Sequence, residues 1–348
     1  MIVLLFFLFA VITVLYVISP ENKYLNNIFL FLVMIALIFT AGLRGKGVDN
    51  DYYVYRSFWR MRKIDDGTVE YSFYLIKVLI KNLLHLQFQY LLLAYAFIGV
   101  TTKILAIKKI TPLLWGSILI YFSHYFLLHE FTQIRIGVAT GFVLFSIYFL
   151  SEKKYVFFAI FSFLAIIFHQ SCFLVLLFPL IRNSNRNTWI YAMLIPLGYI
   201  FYFLNTYLHI NIPIPILQNK IDLYEEATKS GFLKDSKINP FNALLLIRIL
   251  IFYVIFYQSK KISHFFPHLY IYLKIYSLSL FSFLFFSRIP VFSFRIQELL
   301  GVVEIILIPT IFYLFSERFK WLGKLSVWMI SLGFLLLDIF YVKLVIVK

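Results

Sequence analysis

The feature that most constrains this chain is a succession of long apolar runs, many of them close to the length that spans a lipid bilayer. Of its 348 residues, 62% are hydrophobic and 14% are charged. A soluble core of that composition would leave a large apolar surface facing water, whereas a membrane barrel would show short segments of alternating polarity. The sequence therefore predicts an all-α fold, a polytopic helical bundle that is integral to a membrane.

The runs predict about twelve spans within a single transmembrane domain, residues 1–348, and they show no internal repeat. The predicted spans are 1–18, 27–43, 88–107, 113–129, 133–150, 155–168, 171–181, 188–207, 240–257, 268–287, 296–315 and 325–346. The first run lacks a basic start and a small-residue cleavage site. We therefore expect a retained span and not a signal peptide.

Basic residues concentrate in the short turns between runs, and they account for most of the formal net charge of +16. Because cytoplasmic loops carry surplus Lys and Arg, the basic turns are predicted to be cytoplasmic. These turns hold Lys108 and Lys109, Lys153 and Lys154, Arg182 and Arg186, Lys260 and Lys261, and Arg318, Lys320 and Lys324. No zinc, RNA-binding or basic-aromatic pattern accompanies them, so nucleic acid is not an expected partner.

Two longer loops are predicted on the external side, 43–86 and 208–239. The second is neutral in charge and is a possible lid. In the first, Lys77, Lys81 and His85 are four residues apart and share one helical face, which favours an interfacial helix over 71–86. If this segment crossed the bilayer instead, the first three spans would have the opposite orientation in the membrane.

The run 155–181 has a basic turn at each end, so a single crossing would place one of these turns on the wrong side of the membrane. A break at His169 to Ser171 resolves the conflict and puts His169 at the outward tip of two short helices. Histidine is the natural proton acceptor near neutral pH, which makes His169 a candidate base. A packing role is the simpler alternative.

The loop after the second span, Arg44 to Tyr55, is suited to a polar ligand. Asp49 and Asp51 can accept hydrogen bonds from sugar hydroxyls, and the rings of Tyr53 and Tyr55 can stack on sugars. The alternative is a belt of aromatic residues at the membrane interface.

Three arginines are the strongest candidates for binding an anion, because the guanidinium fork matches phosphate oxygens. They are Arg135, at the mouth of a long apolar helix, and Arg288 and Arg295, which Pro290 separates. An ionisable residue within a membrane span is by default a functional-site hypothesis. The structural alternative is local neutralisation, of Arg135 by Glu130 and of Arg295 by Glu298 or Glu304.

Sequence motifs for nucleotide-driven or metal-dependent chemistry are missing. The chain has no Walker loop, dinucleotide fingerprint, nucleophile elbow or HExxH motif. The acids Asp49, Asp51, Asp65 and Asp66 could hold a divalent ion, but their spacing does not demand one. We therefore expect no cofactor and no metal.

An ordered set of short motifs resembles the EpsG family, which groups with the Wzy-type bacterial polysaccharide polymerases. The motifs are GLRGKGVDNDYYVYRSF, then Glu70, QIRIGVATGFVLFSIYF, IFHQSCFLVLLFPLI and FRIQELLGVVEIILIP. The resemblance carries functional roles onto Arg44, Asp51, Arg135, His169 and Arg295, and it implies a GT-C-like polymerase or ligase membrane fold. The second glutamine of the family pattern is missing, because Gln133-Ile134-Arg135-Ile136 stands in its place.

The resemblance implies a multi-pass glycosyltransferase at the outer face of the bacterial inner membrane. It would join oligosaccharide repeat units carried on undecaprenyl diphosphate, and its partners would be the donor, the acceptor, membrane lipid, a chain-length regulator and a flippase. Such a site needs a base and clustered positive charge. His169, Arg135 and Arg295 are the predicted catalytic residues, with Arg44, Asp49, Asp51, Tyr53, Tyr55, Glu70, Arg288 and Glu298 predicted to bind substrate.

Two other functions are compatible with these residues. A transporter or flippase of the same lipid-linked sugar would also use arginines in a cavity, but it is expected to show repeated halves and paired broken helices. A membrane O-acyltransferase could use His169 as base, but it needs a route for an acyl donor from the cytoplasmic side.

Overall fold

The computed structural model of the chain describes residues 1–49, 51–61, 70–207 and 238–346, and these residues form helices and no strand. The helices cluster into two compact units. The first unit comprises 1–180 and 304–348, and the second comprises 181–303. The predicted lid, 208–239, lies outside the described residues except for its last two.

The described residues of the first unit form eight α-helices before residue 180 and a further helical region from residue 304 onwards. The eight helices are α1 Ile2–Ile18, α2 Lys23–Gly42, α3 Tyr52–Arg60, α4 Tyr71–Lys77, α5 Phe88–Ile110, α6 Leu114–Ile120, α7 Ile134–Ser151 and α8 Tyr155–Phe168. Two π-helical segments, Val78–Leu83 and Tyr121–Thr132, continue α4 and α6, and a 3-10 helix, Gln170–Leu180, follows α8. The later region comprises Glu304–Leu307, Ile308–Leu314, Glu317–Phe319, Lys320–Leu336 and Leu337–Tyr341.

The second unit is built around the helix Leu269–Phe285, which packs on Thr188–Tyr207. Ser277 donates a hydrogen bond across this contact to the Tyr191 carbonyl. The other helices among the described residues of this unit are Ala243–Tyr257, Ser259–Ser263 and Pro290–Gly301.

Five helices of the described chain are long and apolar enough to cross a membrane. They are Lys23–Gly42, Phe88–Ile110, Ile134–Ser151, Thr188–Tyr207 and Glu317–Tyr341. Apolar helices of 10–17 residues occupy several of the other predicted spans. The helical class is therefore confirmed, while the count of about twelve spans stays a prediction.

The helix boundaries confirm one sequence prediction and correct two others. The break at His169 is confirmed, because that residue is extended (φ −153°, ψ 121°) between α8 and the 3-10 helix. The span predicted from residue 27 begins earlier, at Lys23, because the Asn22 side chain caps the helix by accepting from two backbone N–H groups. The span predicted as 296–315 is not continuous. One helix ends at Gly301 and the next begins at Glu304, and Ile308–Leu314 forms a 3-10 helix in which Pro309 has no N–H to donate.

The first loop folds back onto α5 and α7. The rings of Tyr52 and Trp59, on α3, pack against Phe88 at the start of α5, with centroids 5.4 and 6.0 Å away. Tyr55 stacks on Phe73 of α4 at 6.2 Å. These rings are part of one buried cluster that also includes residues of α5 and α7. The loop is therefore held on the helices that carry the candidate site.

The two lysines of the predicted interfacial helix bond to protein. Lys77 donates to the carbonyls of Phe58 and Met61, and Lys81 donates to the carbonyl of Trp59. These carbonyls lie at the C-terminal end of α3, where a positive charge is favourable. The face that Lys77 and Lys81 share thus fastens α4 and its π-helical continuation to α3. The position of this helix relative to a membrane stays a prediction.

The start of α7 is held very close to the preceding π-helical segment. Lys103, within α5, forms a buried ion pair with Glu130 at 2.7 Å and also donates to the Gly137 carbonyl. A Cβ atom added to Gly137 would lie 2.7 Å from the His129 carbonyl oxygen. Glycine at this position therefore permits a backbone approach that any other residue would obstruct.

This close approach gives a test of the fold. We expect Gly137→Ala to lower the thermal midpoint of the purified protein, because the new methyl group meets a backbone oxygen that cannot turn away. Gly333→Ala is the matched control. It lies within the helix Lys320–Leu336 with nothing within 4 Å of the added atom, so it should be neutral or stabilise by up to about 1 kcal/mol. Equal effects of the two substitutions would contradict the packing of α7.

Candidate functional site

Arg44 fastens the first loop to two helix ends. Its guanidinium is 1% exposed and bonds the Asp49 carboxylate at 2.7 Å, and it donates to the carbonyls of Ala41 and Phe131, each also at 2.7 Å. Those carbonyls belong to the last turn of α2 and of the π-helical segment, where the helix dipole favours a cation. Arg44 and Asp49 therefore hold the first loop against the ends of α2 and of the π-helical segment.

Asp51 follows this pair at the start of α3. Its backbone N–H donates to an Asp49 carboxylate oxygen at 3.0 Å, and its own side chain does not cap the helix. Burial raises the pKa of the Asp51 carboxyl, and so does the negative charge of Asp49, while Arg135 and Arg44 oppose the rise. An acid with a raised pKa beside cations is a candidate for proton transfer.

The tyrosines of α3 divide between its two faces. Tyr55 is 4% exposed and its hydroxyl hydrogen-bonds Arg135. Burial is the main reason why the pKa of Tyr55 rises to about 12, so the phenol keeps its proton at neutral pH. Tyr53, by contrast, is 58% exposed. Tyr53 and Tyr55 are the two residues predicted to stack on sugars. Of these, only Tyr55 contacts another candidate side chain.

Arg135 lies at the centre of the site. It is the second residue of α7, and its guanidinium donates to the carboxylate of Glu70, which immediately precedes α4. The two side chains are 20% and 11% exposed, so the pair is shielded from solvent and still reachable. Removing one partner of a buried ion pair leaves the other charge unpaired, which lowers the stability of the protein by several kcal/mol.

His169 completes the group from the break after α8. Its Nε2 atom lies 3.8 Å from the second oxygen of Glu70. Its Nδ1 accepts the backbone N–H of Ser171 at 3.2 Å. A neutral imidazole that accepts at Nδ1 carries its proton on Nε2, so the N–H group of His169 faces Glu70.

Five side chains from four separate segments thus meet in the first unit. We call Asp51, Tyr55, Glu70, Arg135 and His169 the Arg135 cluster. It holds a cation, two carboxylates, a phenol and an imidazole. Such a set can bind an anion and can accept and donate protons.

The structural alternative for Arg135, a pair with Glu130, is not what the structure shows, and sequence reasoning did not single out Lys103. Glu130, the local alternative for Arg135, is paired with Lys103, and Tyr121 donates to the same carboxylate oxygen at 3.1 Å. The signal for Lys103 was present, since it is a charged residue within an apolar run. A charge at that depth is retained only with a partner.

The remaining candidates belong to the second unit. Pro290 is the first residue of the helix Pro290–Gly301, so Arg288 precedes the helix while Arg295 and Glu298 lie within it. This confirms that Pro290 separates the two arginines. That these three residues share a site with the Arg135 cluster stays a prediction.

Comparison with known proteins gives a family match and a curated relative. The profile of the EpsG family matches residues 27–346, nearly the whole chain. A curated relative, "Amylovoran biosynthesis protein AmsC" of Erwinia amylovora, is 26% identical over 195 residues. That match covers 52% of this chain and 47% of the relative, so the chain spans about half the length of the curated relative it matches.

No solved structure matches the chain, and a GT-C-like architecture stays a prediction. The family match, by contrast, covers the segments that supply Arg44, Asp51, Glu70, Arg135, His169 and Arg295. On this evidence, the chain is a member of the EpsG family.

Proposed function

We propose that this protein is a membrane polysaccharide polymerase that joins oligosaccharide repeat units carried on undecaprenyl diphosphate at the outer face of the bacterial inner membrane. Membership of the EpsG family and the relative named for amylovoran biosynthesis support this class. The observation that carries the proposal is the Arg135 cluster, which combines an anion-binding group with groups that transfer protons.

Arg135 is the proposed contact for the diphosphate of the donor. A guanidinium has five N–H donors, and the bonds to Glu70 and Tyr55 leave others for phosphate oxygens. When the sugar–phosphate bond breaks, its electron pair leaves with the diphosphate, and a fixed cation stabilises the charge that develops. Arg288 and Arg295 are proposed to add positive charge for the same anion.

The proton of the acceptor hydroxyl needs a base. Sequence reasoning favoured His169, but its Nδ1 accepts from Ser171, so the neutral imidazole presents an N–H donor at Nε2 and no lone pair that could take a proton. We therefore propose that the Asp51 carboxylate takes the hydroxyl proton as the oxygen attacks the anomeric carbon. The Nε2–H of His169 is proposed to donate a hydrogen bond to the leaving diphosphate while the proton stays on the ring, and Glu70 positions Arg135.

The other predicted ligands have supporting roles in this proposal. Arg44 and Asp49 hold the first loop against α2 and the π-helical segment, which positions Asp51 and Tyr55. Loop 208–239 is proposed to cover the growing chain, and Tyr53 and Glu298 to contact sugar. No step of this reaction calls for a nucleotide.

A deletion strain separates this function from its two rivals. Surface polysaccharide run on a gel should collapse from a ladder to a single repeat unit if the protein is the polymerase. Complete loss of surface polysaccharide would instead support a transporter or flippase. A full ladder that lacks acyl groups would support an O-acyltransferase.

Arg135 should be indispensable to chain extension. We expect Arg135→Ala to reduce kcat/KM on purified lipid-linked repeat units by about 10²–10³, because one charge-stabilising donor is lost. Arg135→Lys should recover little, since an ammonium lacks the planar fork. Arg295→Ala should also abolish the ladder, whereas Lys260→Ala, at an exposed position of the short helix Ser259–Ser263, should leave it unchanged. Full ladders from both arginine-to-alanine variants would refute the proposed anion site.

The base can be identified from the pH dependence of turnover. Asp51 must be ionised to accept a proton, so kcat should rise with pH through a midpoint above the ordinary range of Asp. We expect Asp51→Asn to lower kcat by about 10²–10⁴ and to remove this acid limb. His169→Gln should lower kcat but keep the limb. If His169→Gln removes the limb and Asp51→Asn keeps it, His169 is the base, as the sequence predicted.

A further inference from the structure

A second polar site lies in the first unit, between the end of α1 and the start of α2. A cavity of about 350 Å³ is lined there by Tyr16, Ser19, Asn26, Trp115 and Lys324, together with apolar residues and prolines. None of the residues of the Arg135 cluster lines it. The cavity is therefore unrelated to the chemistry proposed above.

The walls of this cavity are held in place by hydrogen bonds between distant segments. The indole N–H of Trp115 donates to the Asn26 side chain at 2.7 Å, and the Tyr16 hydroxyl donates to the Lys324 carbonyl at 3.3 Å. The Lys324 ammonium donates to the Val17 carbonyl at 2.9 Å, which uses one of its three N–H groups. Lys324 thus has donor capacity for a ligand in the cavity.

The surroundings of the cavity are strongly basic. Lys108 bonds the side chain of Asn27, next to Asn26, at 2.8 Å. Lys320 lies 5.8 Å from the ring centre of Phe312, which lines the cavity. The helix ends and connections in this part of the sequence carry six basic and two acidic residues. These are Lys23, Lys108, Lys109, Arg318, Lys320 and Lys324, with Glu21 and Glu317. Lys320 is paired with Glu317 at 2.6 Å. A ligand of this cavity is therefore expected to be an anion.

An apolar groove of about 480 Å³ continues along the same two helices. Its lining comes entirely from α1 and α2 and includes Phe7, Val11, Phe29 and Val33. On α1, Leu15 lines the groove and the next residue, Tyr16, lines the cavity. On α2, Phe29 and Asn26 are three residues apart, which is about one helical turn. The cavity and the groove thus share the same two helices, and on each helix their lining residues come within one turn of each other.

We propose that this composite site binds a membrane phospholipid with an anionic head group, with the phosphate beside Lys324 and one acyl chain between α1 and α2. Basic pockets between transmembrane helices at the cytoplasmic face are typical binding sites for anionic lipids. The turns around this cavity are among those that the surplus of Lys and Arg assigns to the cytoplasmic side. The head group and the chain are each matched by a separate part of the site.

The test is a titration of the purified full-length protein in detergent with phosphatidylglycerol, phosphatidylcholine or glycerol 1-phosphate, with the thermal midpoint as readout. A ligand that binds only the folded state raises this midpoint with concentration. Phosphatidylglycerol should raise it in a saturable way and phosphatidylcholine should raise it far less. Glycerol 1-phosphate should have no effect, because it cannot occupy the groove.

Two variants address the two halves of the site. Lys324→Gln should weaken the phosphatidylglycerol response about tenfold or more, while Lys260→Gln, at an exposed position of the short helix Ser259–Ser263 in the second unit, should keep it. Ala36→Phe should fill the groove and also abolish the response without touching a charge. Because each response is measured against the same variant without lipid, a change in basal stability does not affect the comparison.

Three results would overturn the proposal. They are equal responses to the two phospholipids, an equal response to glycerol 1-phosphate, and full responses in both Lys324→Gln and Ala36→Phe. None of these outcomes depends on polymerase activity. The lipid site and the proposed function can therefore fail separately.

Discussion

The fold depends on ion pairs between three shielded cations and their carboxylate partners. Arg44, Lys103 and Arg135 each lie where water is scarce, and each is bonded to a carboxylate. Arg44 and Lys103 also donate to backbone carbonyls. An isolated charge at such positions would cost several kcal/mol, so the carboxylate must come to the cation even when it is distant in sequence. Satisfying these three charges joins the first loop, α5, the π-helical segment and the start of α7, and this arrangement assembles the Arg135 cluster.

Hydrophobic patterning was sufficient to predict the helical class, the approximate positions of most helices and the break at His169. It could not predict the partner of Arg135. The sequence offered Glu130 five residues away, whereas the partner in the structure is Glu70, 65 residues away. Glu130 is already engaged by Lys103 from α5. Which of two carboxylates a cation binds is decided by helix packing, and sequence spacing contains no information about that.

The first loop shows the same limit. A run of tyrosines fits an interfacial belt and a ligand site equally well in sequence. The structure distinguishes the individual tyrosines. Tyr52 is buried against Phe88 and Tyr55 against Phe73, while Tyr53 is exposed. Likewise, Lys77 and Lys81 have the spacing of a membrane-surface helix, yet both bond the end of α3. Periodicity identifies the face on which residues lie, and only tertiary contacts identify what that face meets.

The claim on which this account rests is that the Arg135–Glu70 ion pair joins the first loop to α7 and so forms the site. A double-mutant cycle on thermal or denaturant unfolding, with Arg135→Ala, Glu70→Ala and the double variant, measures that interaction directly. The account predicts a coupling free energy above about 1 kcal/mol, with the double variant less destabilised than the sum of the single variants. Effects that add to within about 0.5 kcal/mol would show that the two side chains are not coupled, and would contradict the account.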